Sequence, residues 1–560
     1  MRSLHRFPFA LFSCALLSAA CSSDPSPATD ASVTDTGSDA ATDAASDAPT
    51  DAAPASTLTL TTTRGPVMGH VSDGVTSFLG VPYAAPPVAN LRWRAPTEHA
   101  AWTTPLDAAA KGATCMQTRG TLSGSGPMSE DCLYLNVWTA KTREADATRR
   151  PVMVFVHGGG FTAGTTSGPE YDGASLAAKG VVVVTFNYRL GQFGFLGHTA
   201  LTAEDTEHHS SGNYGFQDQQ AVLRWVRDNA ASFGGDPGNV TLFGESAGSM
   251  SVCAHLVAPA SAGLFHKAIG ESGVCSFFIT PLHDIPALPV VSSAEALGRR
   301  FEMAVGCAGM TDLAACMRAK PAAEVLAAAP TPVELSRYGV RYQPNIDGYV
   351  FTEAPWVSLL AGRFQRVPFI TGTNRDEGTA FTLGVPIATE AAYRALVMAT
   401  LPDHVDDVMR LYPVSMYATP KAAYEAFLRD AVFVCPARAV ARITSTATAP
   451  TWLYHFTREN RAGAVLGLGV FHSAELPYVF GNFTGFFTRA AEDEPVVTAT
   501  QNYWTRFATT GNPNGGSEPM WPQYTTTNDT HLEIGDMVRT GTGLRRDACD
   551  AMLTWLAPPR

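Results

Sequence analysis

The chain has 560 residues, of which 45% are apolar and 16% are charged, as is typical of a globular protein. Its formal net charge is −12, but seven aspartates between residues 22 and 56 contribute −7 and the first 21 residues contribute +2, which leaves −7 for the remainder. This remainder is only mildly acidic and has no basic surface to bind nucleic acid. No internal apolar run reaches the roughly 18 residues that a membrane-spanning helix needs.

The amino terminus is typical of an export signal. Arg2 and Arg6 precede the apolar stretch "FPFALFSCALLSAAC", which is too short to span a bilayer and ends in small residues. Residues 1–20 are therefore predicted to be a signal peptide. The ending "LLSAAC" resembles a bacterial lipoprotein signal, in which Cys21 would be lipidated and become the first mature residue. The alternative is ordinary secretion with cleavage nearby.

Residues 21–56 are predicted to be a disordered tether. They are almost entirely Asp, Ala, Ser, Thr and Pro, including the near-repeat "DAATDAASDAPTDAAP". Such a segment has too little apolar surface to offset the entropy of ordering. The protein is therefore predicted to be exported. It would be anchored by lipid, in the periplasm or at the cell surface, or else secreted.

Residues 57–560 are predicted to form one large α/β domain. The runs "TLTLTTT", "GPVMGHV" and "TSFLGVPYA", punctuated by Gly and Pro, indicate an antiparallel meander. Beyond residue 150, apolar strand-like runs such as "PVMVFVH", "VVVVTFNY", "KAIGES" and "VPFITG" alternate with helical stretches. This alternation is typical of a mostly parallel central sheet with helices on both faces and long insertions.

The cysteines favour disulfides. Once Cys14 in the signal and Cys21 are set aside, eight remain, an even number in an exported chain. The residues alone cannot choose among roughly a hundred possible pairings. Zinc ligation is the weaker alternative because no C-x-x-C pair occurs.

The stretch "VTLFGESAGSM" contains the candidate nucleophile. "GESAG" fits the G-x-S-x-G pattern around Ser246, and it lies between a strand-like and a helical stretch, the context that this motif requires. The oxyanion of the intermediate needs backbone N–H donors, one from Ala247 and others from an earlier glycine-rich loop. "VFVHGGGF" provides Gly158, Gly159 and Gly160. A phosphate-binding loop is disfavoured because the motif's Lys and spacing are missing.

The acid and the base should follow the serine along the chain, in that order. In "GTNRDEG" both Asp376 and Glu377 are candidates for the acid, and the residues alone do not choose between them. For the base, His472 lies in a glycine-rich loop, whereas His455 lies in a strand-like run and His531 in a polar stretch. His208 and His209 indicate a solvated loop.

Many motifs in order resemble type-B carboxylesterases, the family of the cholinesterases and the bacterial para-nitrobenzyl esterases. The matching stretches cover most of residues 57–560 and include "FLGVPYAAPPVANLRWRAP", "SEDCLYLNVW", "VFVHGGGF", "FNYRLGQFGFLG", "VTLFGESAGS", "GTNRDEG", "FHSAELPYVFG" and "RFATTGNPNG". The resemblance implies an α/β-hydrolase fold and a serine carboxylesterase that needs no cofactor or metal.

Residue by residue, the resemblance implies Ser246 as nucleophile, Glu377 as acid and His472 as base. It implies Gly159, Gly160 and Ala247 as oxyanion donors, with Glu245, Ser272 and Glu475 supporting the histidine. It also implies the disulfides Cys115–Cys132, Cys307–Cys316 and Cys435–Cys549. Cys253 and Cys275 are then paired only by exclusion, or remain two buried thiols.

The expected substrate is a neutral carboxylic ester of small-molecule size. The loop "CMQTRGTLSGSGPMSEDC" lacks the tryptophan with which cholinesterases bind a quaternary ammonium, and its Arg119 would repel a cation. Phe277 and Phe278 fall where the family builds an acyl pocket, or else are core packing. The rival functions are a lipase acting on longer acyl chains and a non-catalytic surface-binding protein.

Overall fold

The computed structural model describes residues 56–273, 275, 279–284, 293–328, 341–445, 449–485, 487–553 and 555. The predicted signal peptide and tether, with Cys21, lie outside the described residues, as do Phe277 and Phe278. Within the described residues, no helix is long and apolar enough to cross a membrane.

The strands confirm the predicted meander and the apolar runs that follow it. They are β1 Thr57–Thr61, β2 Pro66–Ser72, β3 Val75–Pro82, β4 Leu106–Asp107, β5 Thr114–Cys115, β6 Met128–Ser129, β7 Tyr134–Thr139, β8 Arg150–Val156, β9 Val182–Phe186, β10 Gly235–Glu245, β11 Lys267–Glu271, β12 Thr280–Pro281, β13 Asn345–Ile346, β14 Phe369–Asn374, β15 Thr451–Phe456, β16 Thr530–Ile534 and β17 Arg539–Thr542.

The helices alternate with these strands. They are α1 Ala174–Ala177, α2 Gly191–Phe195, α3 Thr199–Glu204, α4 Tyr214–Asn229, α5 Ala247–Val257, α6 Ala294–Ala304, α7 Leu313–Arg318, α8 Ala322–Ala327, α9 Pro355–Leu360, α10 Glu390–Thr400, α11 Val405–Leu411, α12 Pro420–Leu428, α13 Cys435–Thr444, α14 Arg461–Leu466, α15 Leu476–Phe480, α16 Glu494–Thr510 and α17 Arg546–Leu553. A π-helical segment, Arg429–Val434, joins α12 to α13.

One large mixed sheet organises the described residues. Its strands lie in the order β1-β2-β3-β7-β9-β8-β10-β11-β14-β15-β16-β17, with β4 beside β2. In this order, the strands β9, β8, β10, β11, β14, β15 and β16 are parallel to one another. The strands β1, β2, β3 and β7 pair antiparallel with their neighbours in this order, and β17 pairs antiparallel with β16. This confirms the predicted α/β class with a mostly parallel core.

Helices cover both faces of the sheet because its central strands are apolar on both sides. Val152 and Val154 pack with α4 and α5 on one face, whereas Met153 and Phe155 pack with α1, α15 and α16 on the other. Burial on both faces explains why these strands are continuous apolar runs rather than alternating ones.

The sheet brings the candidate loops together at one edge. The strand order reverses around β8, which lies between β9 and β10, and ligands of open α/β sheets bind at the carboxyl ends of strands near such a reversal. The glycine-rich loop follows β8, Ser246 follows β10 and Glu377 follows β14. All three therefore leave the sheet at the same edge.

Candidate active site

Ser246 lies in the turn between β10 and α5. Its φ of 56° and ψ of −120° are values that residues other than glycine rarely adopt. Its N–H donates to the carbonyl of Glu271 at the end of β11, 2.9 Å away, so the turn is fastened to the neighbouring strand. This strained strand-turn-helix geometry is that of a nucleophile elbow.

The glycine-rich loop packs directly against the elbow. A Cβ atom at Gly158 would lie 2.7 Å from Oε2 of Glu245 and 3.0 Å from Cβ of Ser246, so a side chain there would push the loop away. Gly159 has φ +102°, a conformation that favours glycine. Within the described residues, the N–H groups of Gly159, Gly160 and Ala247 donate to no protein acceptor.

Two buried side chains hold this loop from behind. Oε1 of Gln117 accepts from the N–H of Gly164 at 2.9 Å, while its Nε2 donates to the carbonyl of the same residue at 2.7 Å. Nδ1 of His157 donates to the carbonyl of Gly158 at 2.8 Å, and burial lowers the pKa of His157 to about 4. His157 is therefore neutral and supports the loop without adding charge.

The acid and histidine candidates meet between β14 and α15. Nδ1 of His472 donates to Oε2 of Glu377 at 2.6 Å, and the Glu377 side chain is fully buried. The backbone N–H of Asn374 donates to the other carboxylate oxygen at 2.7 Å. Glu377 thus holds the Nδ1 side of the imidazole, whereas Nε2 is buried without a hydrogen-bond partner among the described residues.

The structure gives the two adjacent carboxylates different partners. Glu377 faces the imidazole, whereas Oδ2 of Asp376 accepts from the backbone N–H of Val470, 2.8 Å away. The adjacent residues point in different directions because a 3₁₀ turn, Glu377–Thr382, begins between them. The residue types alone could not have shown this difference.

Glu245 links the elbow to the histidine loop. Its Oε1 lies 3.2 Å from Nε2 of His472 and accepts a hydrogen bond of 2.5 Å from the hydroxyl of Ser473. Burial raises the pKa of Glu245, and the neighbouring His472 offsets only part of this effect. Burial lowers the pKa of His472, but Glu245 and Glu377 outweigh it and raise that pKa to about 9.

Two more carboxylates lie behind this group. Glu475 accepts a hydrogen bond of 2.9 Å from the hydroxyl of Ser272 and another from the side-chain amide of Asn374. Burial, followed by the charges of Glu245 and Glu377, raises the pKa of Glu475 to about 8. Glu271 is paired in register with Glu245 on the neighbouring strand, and burial raises its pKa well above the ordinary value.

Two phenylalanines flank the imidazole. The ring centroids of Phe381 and Phe433 each lie 4.9 Å from that of His472. Phe433 belongs to the π-helical segment, a feature frequent at functional sites. No pattern in the sequence indicates this π-helical turn or the contact of Phe433 with His472.

The other histidines considered from sequence lie elsewhere. His455 and His531 are side by side on β15 and β16 with ring centroids 6.4 Å apart, and burial lowers the pKa of both. His531 lies in a strand rather than in a loop because Leu532 and Ile534 beside it are buried. His208 stacks on Tyr349.

The described cysteines form four disulfides. The Cα atoms are 5.0 Å apart in Cys115–Cys132, 5.1 Å in Cys253–Cys275, 5.8 Å in Cys307–Cys316 and 4.9 Å in Cys435–Cys549. No group of His, Cys, Asp or Glu in the described part of the chain is arranged to hold a metal ion.

The chain is similar to known proteins along most of its length. A model of the carboxylesterase family matches residues 56–552. A fumonisin B1 esterase of Sphingopyxis macrogoltabida is 35% identical over 86% of this chain and 87% of its own length. A para-nitrobenzyl esterase of Bacillus subtilis strain 168 is 37% identical over 83% and 92%, and a human cocaine esterase is 33% identical over 83% and 85%.

Proposed function

The chain belongs to the carboxylesterase family, which has the α/β-hydrolase fold and hydrolyses carboxylic esters, and we propose that Ser246, His472 and Glu377 are its catalytic triad. The contact between Nδ1 of His472 and the buried carboxylate of Glu377, beside the strained elbow of Ser246, carries this proposal. A hydrogen bond between a serine nucleophile and its histidine base often tightens only when substrate binds, so the proposal does not require one between Ser246 and His472 in the free protein.

In the first step, Ser246 is acylated. His472 Nε2 takes the hydroxyl proton as the oxygen attacks the ester carbon, and Glu377 stabilises the imidazolium. The carbonyl oxygen becomes an oxyanion that accepts from the N–H groups of Gly159, Gly160 and Ala247, which have no acceptor among the described residues. His472 then gives the proton to the leaving alcohol.

In the second step, water releases the acyl group. His472 takes a proton from water, the resulting hydroxide attacks the acyl-enzyme, and the proton returns to Ser246 as the carboxylic acid leaves. Glu245 lies within 3.2 Å of Nε2 and thereby favours the imidazolium that forms in both steps. Ser272 and Glu475 act indirectly: Ser272 donates to Glu475, and Glu475 accepts from Asn374 and so holds it beneath the histidine loop.

Labelling and two carboxamide variants test the triad. A fluorophosphonate should label the peptide that contains Ser246, and Ser246→Ala should abolish both labelling and ester hydrolysis. Glu377→Gln should lower kcat by up to about 10⁴-fold because the imidazole loses its orienting carboxylate. Asp376→Asn should be much milder, and the reverse ranking of these two variants would refute the assignment of the acid.

The preferred substrate is a neutral ester with a short or medium acyl chain or an aryl alcohol. The disulfide-closed loop between Cys115 and Cys132 contains no aromatic residue, and Arg119 is an exposed cation within it. This loop therefore offers a quaternary ammonium no ring face to bind. The names of the relatives, which refer to fumonisin B1, para-nitrobenzyl esters and cocaine, do not favour choline esters.

Two assays separate this proposal from its rivals. kcat/KM for para-nitrophenyl butyrate should exceed that for butyrylthiocholine, and a preference for the thiocholine ester would contradict the substrate class. An activity jump at the solubility limit of a longer ester would instead favour a lipase. Failure of both labelling and hydrolysis would favour the non-catalytic binding protein.

We also propose that the protein works outside the cytoplasm, tethered by lipid on Cys21. Four disulfides among the described residues support an oxidising compartment. The proposed anchor and the aspartate-rich segment would hold the enzyme near a membrane without inserting it.

A further inference from the structure

The geometry of the site depends on how two loops are fastened together. One loop, residues 375–379, carries Glu377 after β14, and the other, residues 468–472, carries His472 before α15. The two contacting residues are 95 positions apart in sequence, so nothing local fixes the distance between them.

Asp376 joins the two loops through two hydrogen bonds to one residue, Val470. Its backbone N–H donates to the carbonyl of Val470 at 2.9 Å, and its Oδ2 accepts from the N–H of Val470 at 2.8 Å. Both backbone groups of Val470, two residues before His472, are thus bound by Asp376.

Hydrogen bonds from residues on either side of Asp376 stabilise its grip on Val470, that is, the two hydrogen bonds just described. The side-chain amide of Asn374 donates to the carbonyl of Phe471 at 3.0 Å. The hydroxyl of Thr379 donates to the carbonyl of Leu468 at 2.8 Å. Nε of Arg375 donates to Oδ2 of Asp376 at 2.9 Å and so fixes the orientation of the carboxylate.

We propose that Asp376 is a positioning residue that sets the histidine loop so that His472 stays in hydrogen-bonding contact with Glu377. This inference rests on the proposed triad and deepens it. The neighbouring carboxylates divide the task, since Glu377 orients the imidazole while Asp376 orients the backbone that bears it. A displacement of about 1 Å at a catalytic group costs up to about 10²-fold in rate.

Two substitutions at one position test the grip. Asp376→Ala should lower kcat by roughly 10-fold to 100-fold while KM changes less than about twofold, because the chemistry rather than binding is disturbed. Asp376→Asn keeps an oxygen that accepts from Val470 and should stay within about threefold of wild type. The short contact between Nδ1 of His472 and Glu377 should place the Nδ1–H proton NMR signal at low field in wild type, and that signal should broaden or vanish only in Asp376→Ala.

Asp146→Ala is the matched control. Asp146 also accepts from a backbone N–H, that of Thr148 at 2.9 Å, and pairs with an arginine, but it precedes β8 at the opposite edge of the sheet. Its loss should leave kcat and the low-field signal unchanged.

The proposal is overturned if Asp376→Ala keeps the wild-type kcat, if Asp376→Asn loses as much as Asp376→Ala, or if kcat falls while the low-field signal persists. If Asp376→Ala does not fold, Thr379→Val decides. It should lower kcat several-fold at constant KM, and a wild-type kcat would overturn the proposal. Labelling of Ser246 in wild type tests the triad separately, since it depends on the serine and its base and not on which residue holds the histidine loop.

Discussion

Replacing Glu475 by Gln should make the protein less sensitive to alkaline pH. Glu475 is 1% exposed, and burial together with Glu245 and Glu377 raises its pKa from 4.5 to about 8. Between these values the folded protein binds a proton that the unfolded chain releases. Its contribution to the free energy of unfolding is therefore fully present below pH 4.5 and is lost as pH rises toward 8.

The size of this loss follows from the pKa. Each pKa unit corresponds to about 1.4 kcal/mol, so wild type should lose up to roughly 4 kcal/mol between pH 5 and pH 8 through this group. The carboxamide of Glu475→Gln would stay neutral. Its oxygen would accept from Asn374, and the Ser272 hydroxyl, which donates to Glu475 in wild type, would turn to accept from the new amide N–H. The raised pKa of His472 acts in the same direction in both proteins and largely cancels in the comparison.

Thermal unfolding measured from pH 5 to pH 8 at one scan rate checks this reasoning. For a folded body of roughly 500 residues the unfolding entropy is near 1 kcal/mol per degree, so the midpoint of Glu475→Gln should gain about 4 °C on wild type across this range. Glu492→Gln removes an exposed carboxylate and should follow wild type. Parallel curves for wild type and Glu475→Gln would refute the argument.

Two other changes test single features. Glu245→Gln removes one of the carboxylates that raise the pKa of His472, so the acid limb of the kcat/KM profile should move to lower pH by roughly one unit or more, and an unmoved limb would contradict the contact. Wild type should fractionate with membranes whereas Cys21→Ser should be soluble or remain unprocessed, and wild type found free in the periplasm or medium would exclude the lipid anchor.

The parts of the fold that depend on local pattern could be predicted from sequence. The apolar runs around residues 150–156 and 182–186 are strands because nearly every side chain in them is buried, and the turn at Ser246 follows from the glycines between a strand and a helix. These features need only the residues within a few positions of one another.

The remaining features depend on contacts between distant segments. Asp376 and Glu377 are adjacent acids, and only the turn between them decides which one meets the imidazole. Gln117 reaches Gly164 across 47 residues, and Phe433 reaches His472 from a π-helical turn. Spacing and composition do not encode such contacts, so residue patterns alone could not identify these side chains.

The Cys435–Cys549 bridge has a consequence for covalent topology. It joins two residues 114 positions apart and closes a loop that contains His472, whereas Ser246 and Glu377 lie on the chain before it. A single proteolytic cut anywhere inside the loop leaves both fragments joined through sulfur. The segment that bears the histidine then cannot diffuse away from the segment that bears the serine, and nicked protein should migrate as one species until a reductant separates it into two.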